Sequence, residues 1–133
     1  MCGAVRYTAS AENPTLSACH CDMCRRWTGG PLLSVGAVEV KWEGADKLTT
    51  FTSSAWAERG FCAVCGSSLF YRLTARGPHE GALHVPLGTL DDPSGLELSV
   101  EWFFDKKPAA YTLAGERKRV TEAEVKAMFD GGG

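Results

Sequence analysis

The sequence predicts a mainly β fold of short antiparallel strands with one short helix near the C-terminus. Three observations predict it. Short segments with strand-like alternation or apolar runs recur between residues 3 and 104. Turn pairs such as Glu43-Gly44, Cys65-Gly66, Asp92-Pro93 and Ser94-Gly95 punctuate them. A helix-start signature stands at Thr121, followed by an apolar pattern at helical spacing.

The elements follow in order. Residues 3–9 put Val5 and Tyr7 on one face and Arg6 and Thr8 on the other. Residues 32–40 form a longer apolar strand, with a bulge expected at Gly36. Strands are expected at 48–53 and at 56–62, where Trp56, Glu58 and Gly60 alternate with Ala57, Arg59 and Phe61. Segments 67–73, 83–87 and 98–104 complete the set, and 74–81 reads as an exposed loop. The helix, about 121–130, starts with Thr121 as N-cap and Glu124 three residues on. Val120 and Val125 are placed as a hydrophobic staple, and Val125, Met128 and Phe129 share the face expected to pack on the sheet. The glycines at 131–133 are expected to be a disordered tail.

The chain of 133 residues is expected to be a single domain over 1–133, burying roughly two thirds of its unfolded surface. Its 44% hydrophobic and 23% charged residues are ordinary for a globular protein. A net charge of −2 argues against a nucleic-acid partner, and Arg117-Lys118-Arg119 reads as a solvated face. There is no apolar run of the ~18 residues that a membrane span needs, and no basic-then-apolar leader pattern. The expected location is therefore cytoplasmic, where thiols stay reduced and cysteine clusters point to metal or catalysis rather than disulfides.

The cysteines are Cys2, Cys19, Cys21, Cys24, Cys62 and Cys65. Cys62-Ala63-Val64-Cys65-Gly66 is a C-x-x-C turn that can offer two thiolates to one zinc. The stretch Cys19-His20-Cys21-Asp22-Met23-Cys24 is denser, and a kink is expected there to bring its thiols to one metal. Burial as small hydrophobes and redox C-x-x-C chemistry compete with metal binding. Spacing also leaves two metal arrangements open. Cys21 and Cys24 can join Cys62 and Cys65 in one ribbon site, or Cys2 can join Cys62 and Cys65 while the trio holds its own metal.

The motifs CGAVRY at 2–7, CHCDMCRR at 19–26, CAVCGSSLF at 62–70 and GTLDDP at 88–93 carry a resemblance. They resemble the glutathione-dependent formaldehyde-activating enzyme family, which includes the centromere protein V-like proteins. The resemblance implies a Mss4-like, mainly β fold with two zinc sites. By match, it implies that Cys2, Cys62 and Cys65 belong to a structural zinc. It implies that Cys19, Cys21 and Cys24 hold a second, open and catalytic zinc. The family pattern has a further cysteine two positions before Cys2, ahead of the sequence given: either the start has been trimmed or misassigned, or the fourth ligand of the structural site comes from elsewhere, with water, a histidine or the Met1 amine as candidates.

Three thiolates leave one tetrahedral position for a small thiol such as glutathione. Ionised there, the thiol can add to formaldehyde, giving S-hydroxymethylglutathione, or take part in the reverse carbon–sulfur cleavage. The expected function is thus a zinc-dependent carbon–sulfur lyase acting on that or a related thiol adduct. The alternative is a non-catalytic, zinc-stabilised module that binds a thiol or a protein. Zinc with three thiolates is already anionic, so cations are expected nearby. Arg25, Arg26 and Arg59 are the candidates, with Arg25 and Arg26 also suited to glutathione carboxylates. His20 reads as a proton shuttle or a structural residue, and Trp27 and Trp102 as pocket walls or core.

Overall fold

The structure is a computed structural model that describes residues 1–131. Its strands are β1 (Arg6–Ala11), β2 (Thr15–Cys19), β3 (Leu32–Glu43), β4 (Leu48–Ser54), β5 (Ala57–Cys62), β6 (Ser68–Leu73), β7 (Leu83–Pro86), β8 (Glu97–Trp102) and β9 (Lys118–Val120). Helix α1 (Asp22–Thr28) follows β2, and α2 (Glu122–Gly131) follows β9. The expected tail at 131–133 lies outside the described residues except for Gly131, which closes α2. Among the described residues, no helix is long and apolar enough to cross a membrane.

All the strands join one sheet in the order β4-β5-β6-β7-β3-β2-β8-β9, with β1 beside the far half of β3. The antiparallel expectation holds except at β2–β8 and β8–β9, which are parallel. Strand β3 is the hub: its first half pairs with β2 and β7, its second half with β1. The bulge expected at Gly36 is elsewhere. Gly36 pairs regularly with His84, whereas Glu39 takes φ 54° where the β1–β3 register shifts. Trp56 lies between β4 and β5 rather than inside a strand.

Directly paired residues point to the same side of a sheet, and neighbours along a strand to opposite sides. Val35 pairs with Val85 and Ala37 with Leu83, and these four join buried Phe70, Leu69 and Cys62 in the core cluster. Phe70 crosses Gly60 so closely that a Cβ there would lie 2.2 Å from its ring, which is why that core position is a glycine. The opposite face reads differently. Gly36, His84, Tyr71 and Arg59 follow one another across β3, β7, β6 and β5, with Ser34 and Ser17 beside them. Arg59 and Ser34 are nevertheless buried. Polar groups enclosed on one sheet face mark the side on which chemistry is to be sought.

The C-terminal helix starts as expected. The Glu124 amide donates to Thr121 Oγ1 at 3.3 Å, and the Thr121 hydroxyl donates to Glu124 Oε1 at 3.1 Å. Val120 and Val125 are buried, and Phe129 stacks on Trp56 with ring centroids 5.9 Å apart. Met128 is exposed, so the packed face is narrower than the sequence pattern suggested.

Candidate metal centres

The sulfurs of Cys19, Cys21 and Cys24 lie within 4.8 Å of one another. The expected kink is not what unites them. Extended backbone repeats every two residues, so Cys19 and Cys21 share a face without one. Cys19 ends β2, and Cys21 is still extended, with φ −65° and ψ 159°. Cys21 then caps α1, its sulfur accepting from the Cys24 amide at 3.4 Å, and the first helical turn returns Cys24 to the group. Sequence reasoning missed this helix. Its signal was the Gly29-Gly30 stop: Gly29 is the C-cap at φ 85°, a left-handed conformation that glycine adopts without strain.

The histidine inside the motif points the other way. His20 is fully buried, Nε2 lying 2.8 Å from Glu101 Oε1 and Nδ1 2.8 Å from the Tyr111 hydroxyl. Its backbone amide donates to the Trp102 carbonyl at 3.0 Å, which continues the β2–β8 ladder. Glu101 is 1% exposed and also accepts from Arg117 at 2.8 Å and Arg119 at 3.3 Å. Burial would raise the Glu101 carboxyl, but hydrogen bonds from Arg117, His20 and Arg119 outweigh it and hold it below the usual range. The alternation Ala18-Cys19-His20-Cys21 therefore separates anchor from ligands: even positions enter the interior, odd positions present thiols.

The cation at the trio is Arg59. It is 6% exposed, and both terminal guanidinium nitrogens lie 3.7 Å from Cys24 Sγ. Its guanidinium is also 4.9 Å from the Trp27 ring centroid and 5.0 Å from that of Tyr71. Arg25 is turned elsewhere: it pairs with Asp22 at 2.5 Å, and its Nε donates to the His20 carbonyl at 3.0 Å. Arg26 is exposed on α1. Hydrogen bonds from Cys19 and Cys24, then the Cys24 amide and Arg59, hold the Cys21 thiol down to about 2 against the effect of burial. Donating to Cys21 and Cys24 pushes Cys19 strongly upward. Tyr71 is raised to about 12 by burial, with the cysteines adding to it and Arg59 opposing it.

Cys2, Cys62 and Cys65 form the second group, also within 4.8 Å. Cys62 ends β5 inside the core, and Cys65 follows in a turn closed by the Gly66 amide donating to the Cys62 carbonyl at 2.8 Å. Gly66 takes φ 79° in that turn. Ser67, which sequence reasoning did not single out, lies 3.2 Å from Cys65 Sγ and holds that thiol down to about 5. Cys2 Sγ is 3.8 Å from Cys62 Sγ. Tetrahedral zinc with ~2.3 Å bonds sets sulfurs about 3.8 Å apart, so this spacing fits the metal. The structure groups Cys2 with Cys62 and Cys65 and sets the trio together as a separate group, rather than bringing Cys21 and Cys24 to Cys62 and Cys65. All six cysteines are free.

The family model described as glutathione-dependent formaldehyde-activating enzyme matches residues 1–106, which hold both cysteine groups. The chain belongs to this family. A Schizosaccharomyces pombe relative named as an uncharacterized lyase is 27% identical over 127 residues, covering 94% of this chain and 90% of that protein. The crystal structure of a Rhodobacter sphaeroides protein superposes with a TM-score of 0.56 at 22% identity, covering 74% of this chain and 94% of that one. That likeness establishes the fold alone. Residues 107–133 lie beyond the family match, and they include Tyr111, Arg117 and Arg119 of the His20 anchor.

Proposed function

We propose that this protein is a zinc-dependent carbon–sulfur lyase acting on S-hydroxymethylglutathione or a related thiol adduct. One observation carries the reading: three sulfurs, not four, converge beside a buried guanidinium. The donor set is all sulfur, as zinc prefers, and it leaves a tetrahedral position for an incoming ligand. Cys19, Cys21 and Cys24 would hold the catalytic ion, and Cys2, Cys62 and Cys65 a structural one. Bound at the trio, zinc supplies the ionisation of a thiol at neutral pH.

The chain's own residues supply the rest. Arg59 offsets negative charge at the sulfurs, and Trp27 and Tyr71 flank it. Glu101 and Tyr111 fix His20, and His20 fixes the thiols on either side of it. Arg25 and Arg26, on the helix that carries Cys24, are proposed contacts for glutathione carboxylates. In the net reaction the thiol sulfur bonds to the formaldehyde carbon and a proton goes to the carbonyl oxygen; cleavage reverses both. The proposed compartment is the cytoplasm, in keeping with six free thiols.

Exchange spectroscopy of glutathione and formaldehyde at equilibrium tests the reading. Metal-loaded protein should speed exchange above the uncatalysed background, and the Cys19/Cys21/Cys24→Ser triple variant should not. If both match the background, the non-catalytic binding module takes its place.

A further inference from the structure

Strand β4 ends the sheet, and among the described residues nothing pairs with its outer edge. The ladder to β5 decides which of its backbone groups face outward. The Ala63 amide donates to the Lys47 carbonyl at 2.8 Å. Hydrogen-bonded pairs alternate along an antiparallel ladder, so Thr49 and Phe51 direct their groups to Phe61 and Arg59. Leu48, Thr50 and Thr52 turn theirs away from the sheet. The Leu48 amide is taken up by the Ala45 carbonyl. The outer edge therefore offers the amides of Thr50 and Thr52 and the carbonyls of Leu48, Thr50 and Thr52.

A free edge of this kind is a template for another strand, and proteins blunt such edges with charge, proline or bulges. The other end of the sheet is blunted: β9 has three residues, of which Lys118 and Arg119 are cations. Strand β1 is interrupted by the register shift between Thr8 and Ser10. In β4 the shift comes only after Thr52, and Leu48–Thr52 contains no charge, glycine or proline. Thr49, Thr50, Phe51 and Thr52 are all exposed, the Phe51 ring by 64%.

We propose that the β4 edge is the interface with a second copy of this chain, paired antiparallel about a twofold axis at Thr50. A twofold contact must be self-complementary, and this edge is. Thr50 meets its own counterpart as a hydrogen-bonded pair and exchanges two bonds with it. On either side Leu48 faces the partner's Thr52, whose amide donates to the Leu48 carbonyl. Thr49 then lies opposite the partner's Phe51 in a non-hydrogen-bonded pair, where side chains approach most closely, and this covers the exposed ring. The axis brings no like charges together within the run, which is what favours a second copy over a charged partner. Phe51 and Arg59 are paired residues on the face that carries the trio. A twofold perpendicular to the sheet keeps that face on one side, so both candidate metal centres open to the same side of one continuous sheet. A five-residue strand pair buries less than the ~1,200 Å² of stable complexes, so the dimer is weak and concentration-dependent.

Sedimentation equilibrium of the full chain, together with amide hydrogen exchange, tests this. Wild type is expected to pass from monomer to dimer on approaching millimolar concentration. The Thr50 and Thr52 amides should become protected over the same range, whereas those of Thr49 and Phe51 are protected throughout. Thr50→Lys and Thr50→Glu each set like charges directly opposite one another at the axis and should weaken the dimer at least tenfold, with circular dichroism showing an intact fold. Mixed in equal amounts, the two variants should restore dimer, less so in high salt. A wild type that stays monomeric at millimolar concentration refutes the interface and leaves the edge to a different chain. Dimerisation of both variants within twofold of wild type, or without protection of the Thr50 amide, overturns the β4 edge as its site. Variants that are monomeric alone and also in the mixture overturn the twofold at Thr50.

Discussion

Replacing Arg59 by Met removes the guanidinium while keeping a long apolar stem. Its terminal nitrogens stand 3.7 Å from Cys24 Sγ, which at an effective dielectric of about 20 corresponds to about 4.5 kcal/mol of gross attraction to a unit negative charge. The variant also relieves the cost of burying Arg59, whose Nε lacks a hydrogen-bond partner. A net loss of about 2 kcal/mol remains, roughly thirtyfold in the affinity of the trio for zinc. The assay is competition with a chromogenic chelator, following stepwise metal release. Comparison with Cys24→Ser assigns the trio's step. Arg59→Met should shift that step and leave the step of the Cys2/Cys62/Cys65 site in place. Arg59→Lys keeps the charge but loses the planar fork between Trp27 and Tyr71, so it should fall between wild type and Met. If all three release curves superimpose within twofold and circular dichroism shows an intact fold, charge compensation by Arg59 is refuted.

Two further outcomes follow from the anchors. Cys65→Ser should lower the melting temperature more than Cys24→Ser, because Cys62 and Cys65 close the β5–β6 turn against the core and metal binding there adds to folding free energy; equal losses by calorimetry would contradict it. Glu101→Gln should destabilise the fold by about 3 kcal/mol, since it strips the charge that faces Arg117, Arg119 and His20 in the interior. The Glu101 carboxyl is held below its ordinary value, so its stabilisation is full above the usual carboxylate range and is lost as the pH falls through the lower value in the fold. The variant should therefore lose less stability on acidification, as read from urea midpoints; an acid dependence identical to wild type would refute the assignment.

Some of the molecule was legible without coordinates. The β-rich pattern, most strand positions and the capped final helix follow from period-two alternation, turn pairs and the Thr121–Glu124 spacing, and each acts over a few residues. Strand β2 escaped because Thr15–Cys19 is short and has only a weak apolar alternation. Helix α1 escaped because a cysteine, not a usual capping residue, begins it. The bulge was assigned to Gly36 on residue type, but a bulge is a property of pairing, and it formed where β1 and β3 lose register near Glu39. No kink is needed at the C-x-C, because extended backbone already puts Cys19 and Cys21 on one face.

The sequence by itself determined which thiols can share a metal within a segment, because C-x-C-x-x-C and C-x-x-C spacings set geometry over one turn of backbone. It also carried the family pattern over residues 1–106. Only the tertiary structure decided which distant groups complete those clusters. Cys2 meets Cys62 across 60 residues, Arg59 rather than Arg25 or Arg26 meets Cys24 across 35, and His20 meets Glu101 across 81. Each of these contacts is set by the order and register of the strands, which the pairing of the whole sheet determines at once. Local spacing carries no information about which strand will lie beside which, so the ligand sets were readable in the chain while the charge and the anchor that govern them were not.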